Sequence, residues 1–289
     1  MRVDALRYGA MTPTDTTDPT VWICATCGVE HADDQGVCPI CADERQWVPA
    51  DGQHWTTLGE LAESGRRTRL RELEPGLLEL TADPKVGIGQ SAFVVATDGG
   101  VVLWDPVGFV DDEAVQRIGA LGEVLAISSS HPHMFGAQLE WSRRLGDAPV
   151  LVSEPNLEWV SRTGPAIRPH GDRHEIAPGL TLHRFGGHFP GSTVLHWRAG
   201  ADGRGVLLSS DTIHGNPDRA TVTFLRSYPN RIPLSPTVVQ RIATAAEQLE
   251  FDRLYDNFAR GVDADARGAV RRSADRYIAW VRGDHDELT

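Results

Sequence analysis

Lysine is almost absent from this chain: Lys85 is the single example, so arginine carries nearly all of the positive charge. Basic residues number 28 against 40 acidic ones, a formal net charge of −12. Nucleic acid and anionic membranes are bound through clustered Lys and Arg, so this balance argues against either as the main partner. The local run Arg66, Arg67, Arg69 and Arg71 reads as a solvated face. Missing too is any apolar run near the roughly 20 residues that span a bilayer. The first 20 residues are polar and lack the apolar segment of a secretion signal, which predicts a cytoplasmic protein with a disordered tail over residues 1–20. Repeats and low-complexity segments are absent, and no Gly-x-Ser-x-Gly elbow marks a serine nucleophile. Hydrophobic residues at 40% and charged residues at 24% are those of an ordinary globular chain, long enough for one large domain and a small satellite.

Cysteine is missing everywhere except residues 24–41, where all four occur as Cys24-x2-Cys27 and Cys38-x2-Cys41. Two such knuckles place four thiolates around one ion, the pattern of zinc ribbons and of rubredoxin-like iron sites. With no secretion signal in view, ligation is the expected use of these thiols, in preference to disulfides. Gly28 and Pro39 suit tight turns whose amides point at sulfur. About 30 residues bury too little apolar surface to fold alone, so the ion substitutes for a core. The segments Cys24-Ala-Thr-Cys27-Gly28 and Cys38-Pro-Ile-Cys41 resemble the rubredoxin-like modules of rubrerythrins as well as zinc ribbons. Zinc is the expected ion, with iron the alternative. The module spans residues 21–50, Trp22 and Trp47 are placed to shield it, and residues 51–76 read as a connector containing a short helix near 57–64.

From Leu77 onward, apolar runs at 77–80, 91–97, 101–104, 124–127, 150–153, 180–185, 193–198 and 206–209 read as strands. Helices are expected near 111–121, 136–145, 236–249 and 263–281, the first with acidic residues in its opening turn. Strands framed by helices predict sheets covered on their outer faces. Several groups able to bind metal stand at strand ends. His131-Pro132-His133 follows the strand at 124–127, and two imidazoles held by a stiff proline can converge on one cation. His188 sits in a loop shaped by Gly186, Gly187, Pro190 and Gly191, and Asp211 ends the strand 206–209. His183 and His196 read as packing or surface residues, and His170 and His174 as solvated loop residues.

Together these segments resemble the metallo-β-lactamase superfamily over residues 77–289. The carriers are His131-Pro-His133, Gly187-His188-Phe-Pro-Gly191-Ser192 and Ser210-Asp211-Thr212, with Asp105 like the family's early strand-end aspartate. The resemblance implies an α/β fold, a four-layer αββα sandwich preceded by the small zinc-ribbon or rubredoxin-like domain, with metal in a groove at the edge of two sheets. It carries over His131, His133 and His188 as ligands of one zinc or other divalent ion, with Asp211 either a further ligand or a base accepting the proton of an activated water. The family's second site is not carried over. Its Asp and His fall on Phe135 and Gly136, and the late-strand histidine on Asp256 and Asn257. His214 is a candidate proton donor, Arg226 and Tyr228 are candidates for binding a polar substrate, and Met134 and Phe135 for walling its pocket. The expected function is a metal-dependent hydrolase acting on a small molecule. Two alternatives stand beside it: a flavodiiron-like oxidoreductase, or a non-catalytic binding protein whose ribbon recruits a protein partner.

Overall fold

A computed structural model describes residues 16–289. Residues 1–15 of the expected tail lie outside the described residues. The rest of it runs along the large domain, where the Asp18 amide donates to Glu140 Oε1 at 2.7 Å and Arg144 reaches the Thr17 hydroxyl.

A small antiparallel sheet holds the cysteine module. Strand β1 (Trp22–Cys24) lies between β2 (Glu30–His31) and β3 (Trp55–Thr57), and the turn α1 (Pro39–Ala42) carries Cys41. Helix α2 (Leu58–Glu63) starts at a reciprocal cap between Thr57 and Glu60. The expected connector over 51–76 therefore divides: β3 joins the small sheet, and β4 (Arg67–Glu74) becomes the edge of a large one.

That large sheet has the order β10-β9-β8-β7-β6-β5-β4. Its strands β5 (Leu77–Asp83), β6 (Ala92–Thr97) and β7 (Gly100–Trp104) are antiparallel neighbours. From β7 the pairing turns parallel through β8 (Val124–Ser128), β9 (Val150–Ser153) and β10 (Ile167–His170). Helices α3 (Asp112–Gly119) and α4 (Gln138–Arg144) make the crossovers.

The second sheet begins with β11 (Arg173–Ala177), β12 (Leu180–Arg184), β13 (Thr193–Trp197) and β14 (Val206–Leu208), with the single turn α5 (Gly200–Gly203) before β14. Two hairpins follow, β15 (His214–Gly215) with β16 (Val222–Thr223) and β17 (Leu225–Ser227) with β18 (Ile232–Pro233). Helix α6 (Pro236–Glu247) then leads to β19 (Arg253–Tyr255), parallel to β14, and to the edge strand β20 (Gly261–Val262). Helix α7 (Ala266–Arg282) closes the chain.

Side-chain alternation builds the layers. Along β6 and β7, Phe93, Val95, Val102 and Trp104 face the second sheet and meet Leu182, Leu195 and Leu208. Their neighbours Val94, Val101 and Leu103 face the other way, onto Ala114, Ile118 and Trp141. In the second sheet Val194 and Leu207 turn outward onto Ile242, Val270 and Ile278 of α6 and α7. The four-layer αββα architecture follows from this period-two pattern on both sheets.

The cysteine module is not a free satellite. Ile23, Ile40 and the four cysteines share one continuous core with Val107, Phe109, Phe135 and Trp141 of the large domain. The contact is intimate enough that a Cβ on Gly108 would stand 2.1 Å from the Gly28 carbonyl oxygen, so only glycine fits. Buried Glu30 fastens the junction: it accepts from the Leu139 amide at 2.6 Å, pairs with Arg162 at 2.7 Å, and its own amide donates to the Gly136 carbonyl.

Candidate metal centre and its cavity

The four cysteine sulfurs lie within 4.8 Å of one another and could hold a metal ion. Cys24 and Cys41 are 3.6 Å apart and Cys27 and Cys38 are 3.9 Å apart, far beyond a bonded pair. A tetrahedron with metal–sulfur bonds of about 2.3 Å has edges of about 3.8 Å, so the spacing fits one ion. Gln53 Nε2 donates to Cys24 Sγ at 3.1 Å, and His31 Nε2 lies 3.5 Å from Cys38 Sγ with Trp55 edge-on behind it. Shielding thus falls to His31 and Trp55. Trp47, expected in that role, is 45% exposed and lines a cavity of the large domain.

The second cluster assembles where strands of both sheets end. The chain leaves β8 through Ser128–Ser130 and enters a 3₁₀ turn, Pro132–Met134, that sets His131 and His133 side by side. Asp105, at the end of β7, accepts from the Ser130 amide at 2.6 Å and so fixes the start of this turn. Burial pushes the Asp105 carboxyl up to about 6. The β12–β13 loop delivers His188, and a second 3₁₀ turn after β14, Ser210–Thr212, delivers Asp211. One donor atom from each of His131, His133, His188 and Asp211 falls within the same 4.8 Å, all four residues being buried.

The chemistry of these donors fits a cation. His188 Nδ1 donates to the Leu225 carbonyl at 3.2 Å, which leaves Nε2 with a lone pair. That lone pair faces His133 Nδ1 at 3.3 Å and Asp211 Oδ2 at 3.8 Å. His131 Nε2 is buried, without a hydrogen-bond partner, 3.3 Å from the same oxygen, while Ser130 Oγ holds its Nδ1 at 2.8 Å. Burial pushes His188 down to about 3 and His133 well below the usual range, with nearby Arg45 adding to both. Burial alone would raise Asp211, but the imidazoles of His131 and His214 outweigh it and hold the carboxyl well below the usual range. The directions at His133, His188 and Asp211 favour the neutral imidazole and the ionised carboxylate, the forms that ligate a divalent ion.

The cluster opens onto a cavity of about 380 Å³ that His133, His188, Asp211, His214 and Tyr228 line. His214 Nδ1 stands between two carboxylates, 3.5 Å from Asp211 and 3.4 Å from Asp256. Tyr228 packs on His214, ring centroids 4.5 Å apart, and donates to the Asp211 carbonyl at 3.1 Å. Asp256 is spent on structure, accepting from the amides of Gly215, Phe258 and Arg260.

Three residues expected at the substrate sit elsewhere. Met134 and Phe135 are fully buried and do not line the cavity: Phe135 fills the core shared with the cysteine module, and Met134 Sδ lies 3.5 Å from Asn257 Nδ2. Arg226 pairs with Glu44 of the module at 2.6 Å, away from the cavity. His170, expected in solvent, is buried at the end of β10. Gly136 has a backbone role: its φ is +51°, and a Cβ there would stand 1.9 Å from the Pro106 carbonyl oxygen. Unforeseen in the sequence are Arg45 and Gln46 of the module, Lys85 and Arg260, all on the cavity wall. The only signal for any of them was that Lys85 is the chain's one lysine.

No protein-family model matches the chain. It is 42% identical over 270 residues to the uncharacterized protein YmaE of Bacillus subtilis (strain 168), covering 91% of this chain and 97% of that one. Among solved structures, the metallo-β-lactamase DIM-1 exposed to ceftazidime superposes with a TM-score of 0.54 at 11% identity, over 73% of this chain and 97% of its own. The Flv1 flavodiiron core from Synechocystis sp. PCC6803 gives 0.50 at 11% identity, over 74% of this chain and 61% of its own. At such identities the likeness is one of fold. The chain belongs to the same family as YmaE, and it is a metallo-β-lactamase-fold protein with a four-cysteine module built into its N-terminal side.

Proposed function

We propose that this protein is a hydrolase in which one divalent ion, zinc by preference, is held by His131, His133, His188 and Asp211 and acts on a small molecule bound in the adjoining cavity. The observation that carries the reading is the convergence of three buried imidazoles and one buried carboxylate beside that cavity. An ion held by these donors would supply Lewis-acid activation of water near neutral pH.

The protein's own groups do the rest. Ser130 and the Leu225 carbonyl hold His131 and His188 in the orientations that turn Nε2 inward. Asp211 presents Oδ2 to the imidazoles and Oδ1 to His214, so Oδ1 is the atom placed to accept a proton from water. His214 orients that carboxylate and is placed to return the proton to a leaving group. Tyr228 keeps its proton, since burial pushes its hydroxyl well above 10, and fixes the Asp211 turn.

The test is a panel of chromogenic esters, thioesters, lactams and phosphodiesters, assayed with the metal-loaded protein, after chelation, and with His133→Ala. Turnover of at least one class that disappears on chelation, returns with zinc or manganese and is absent in the variant supports the proposal. Turnover that survives both treatments refutes it.

A further inference from the structure

Charge is distributed around the cavity in a way the whole chain does not foreshadow. The protein carries a net charge of −12, yet the cavity wall bears three cations, Arg45, Lys85 and Arg260, against one carboxylate, Asp211, which the imidazoles already engage. Lys85, the only lysine, and Arg260 are exposed side chains, and neither is ion-paired among the described residues. Arg260 leans on the Phe258 ring, 5.1 Å from its centroid. Arg45 comes from the cysteine module. Its side chain is 8% exposed, its guanidinium lies 4.0 Å over Phe189, and Phe189 stacks on His131. Asp43 takes one of its nitrogens at 2.8 Å, but Nε is buried without a partner. The same wall carries the apolar surfaces of Ile88, Pro229, Phe258 and half-exposed Trp47.

We infer that the cavity binds an organic anion, a carboxylate or phosphate joined to an apolar body, and that the cysteine module forms the substrate-selecting wall through Arg45 and Trp47. The module is then part of the binding site and not only a docked ribbon. Arg45 is held rigidly by Phe189 and Asp43, so its remaining donors are preorganised and little entropy is lost when they meet an anion. Lys85 and Arg260 at the mouth attract and then pair the same charge, and Trp47 and Phe258 cover the apolar body. The inference rests on the hydrolase reading for what happens to the bound anion, but not for the binding itself.

The test is equilibrium binding, read by tryptophan fluorescence and calorimetry, with benzoate, phenyl phosphate and neutral benzamide as probes. Wild type, Lys85→Met, Arg260→Met and Arg45→Met are compared in the metal-loaded state, and His133→Ala as the form without the histidine-site ion. Both anions should bind more tightly than benzamide, more weakly as salt rises, and about fivefold or more weakly in each cation variant, the scale of one charge-assisted contact. Lys85→Met and Arg260→Met change exposed side chains, so they carry the test even if Arg45→Met loosens the module. In His133→Ala the anions should still bind, because the cations and not the ion select them. Wild-type affinity in both Lys85→Met and Arg260→Met, or equal binding of benzamide and benzoate, overturns the inference while leaving the metal reading intact. Loss of anion binding in His133→Ala alone overturns it too, by assigning the anion to the metal. Failure of the hydrolase reading shows instead as metal content unchanged in His133→Ala.

Discussion

The cysteine cluster and the histidine–aspartate cluster are both sets of four buried donors within 4.8 Å, yet they meet their surroundings differently. Around the sulfurs lie Ile23, Ile40, Val107 and Phe135, and the cluster is embedded in a core that runs into the large domain. The imidazoles stand at strand ends, and two of them with Asp211 face an open cavity. Soft thiolates sealed in apolar packing suit an ion that stabilises a fold, whereas nitrogen and oxygen donors beside a cavity leave room for a ligand at the ion. The two are also joined. Gly136 and Phe135, three and two residues beyond His133, are spent on docking the module, and Arg45, four residues beyond Cys41, reaches the cavity.

That contrast can be broken first at the sulfurs. Cys38→Ser should cost about 4 kcal/mol or more, because structural ion binding is folding free energy and the sulfur sits in a core common to both domains. Denaturation in urea should show one cooperative transition for the whole chain, shifted far down. Separate transitions, with the large domain unshifted, would mean the core is not shared. Next comes Gly136→Ala. With φ at +51° and the Pro106 oxygen 1.9 Å from the new Cβ, the turn after His133 must move, at a cost of roughly 2–4 kcal/mol. Because the same turn accepts from the Glu30 amide, the variant should weaken the module's docking and raise hydrogen exchange in β2.

The smallest effect concerns pH, and it lies away from both clusters. Burial, with His196 and Arg173 nearby, lowers His183 to about 4 from the ordinary 6.5. Its folded pKa is depressed, so the unfolded chain binds more protons between about 4 and 6.5 and stability should rise with pH across that window. His183→Gln should flatten part of the slope in melting temperature. An unchanged slope would assign it to other groups.

Much of this was legible in the sequence for a reason of distance. The C-x2-C pairs, the His131-Pro132-His133 triplet and the period-two strands are local patterns, and local patterns survive in a linear reading. His188 and Asp211 were legible because each follows a strand of apolar residues, here β12 with its glycine loop and β14. What failed depended on contacts across the chain. Nothing near residue 30 announces that Glu30 will meet Leu139, and nothing near residue 44 that Glu44 will take Arg226 away from the cavity. Met134 and Phe135 follow a metal motif and so resembled pocket residues. Burial against the module, itself a long-range event, decided otherwise.

Counting ions per chain tests the central claim most directly. Elemental analysis of the intact protein should find two, one in the sulfur cluster and one among His131, His133, His188 and Asp211. His133→Ala should lower the count to one, with the large domain folded and its melting temperature changed less than in Cys38→Ser. A count unchanged at two in His133→Ala, or at one in both proteins, would contradict the assignment of a separate ion to the histidine site.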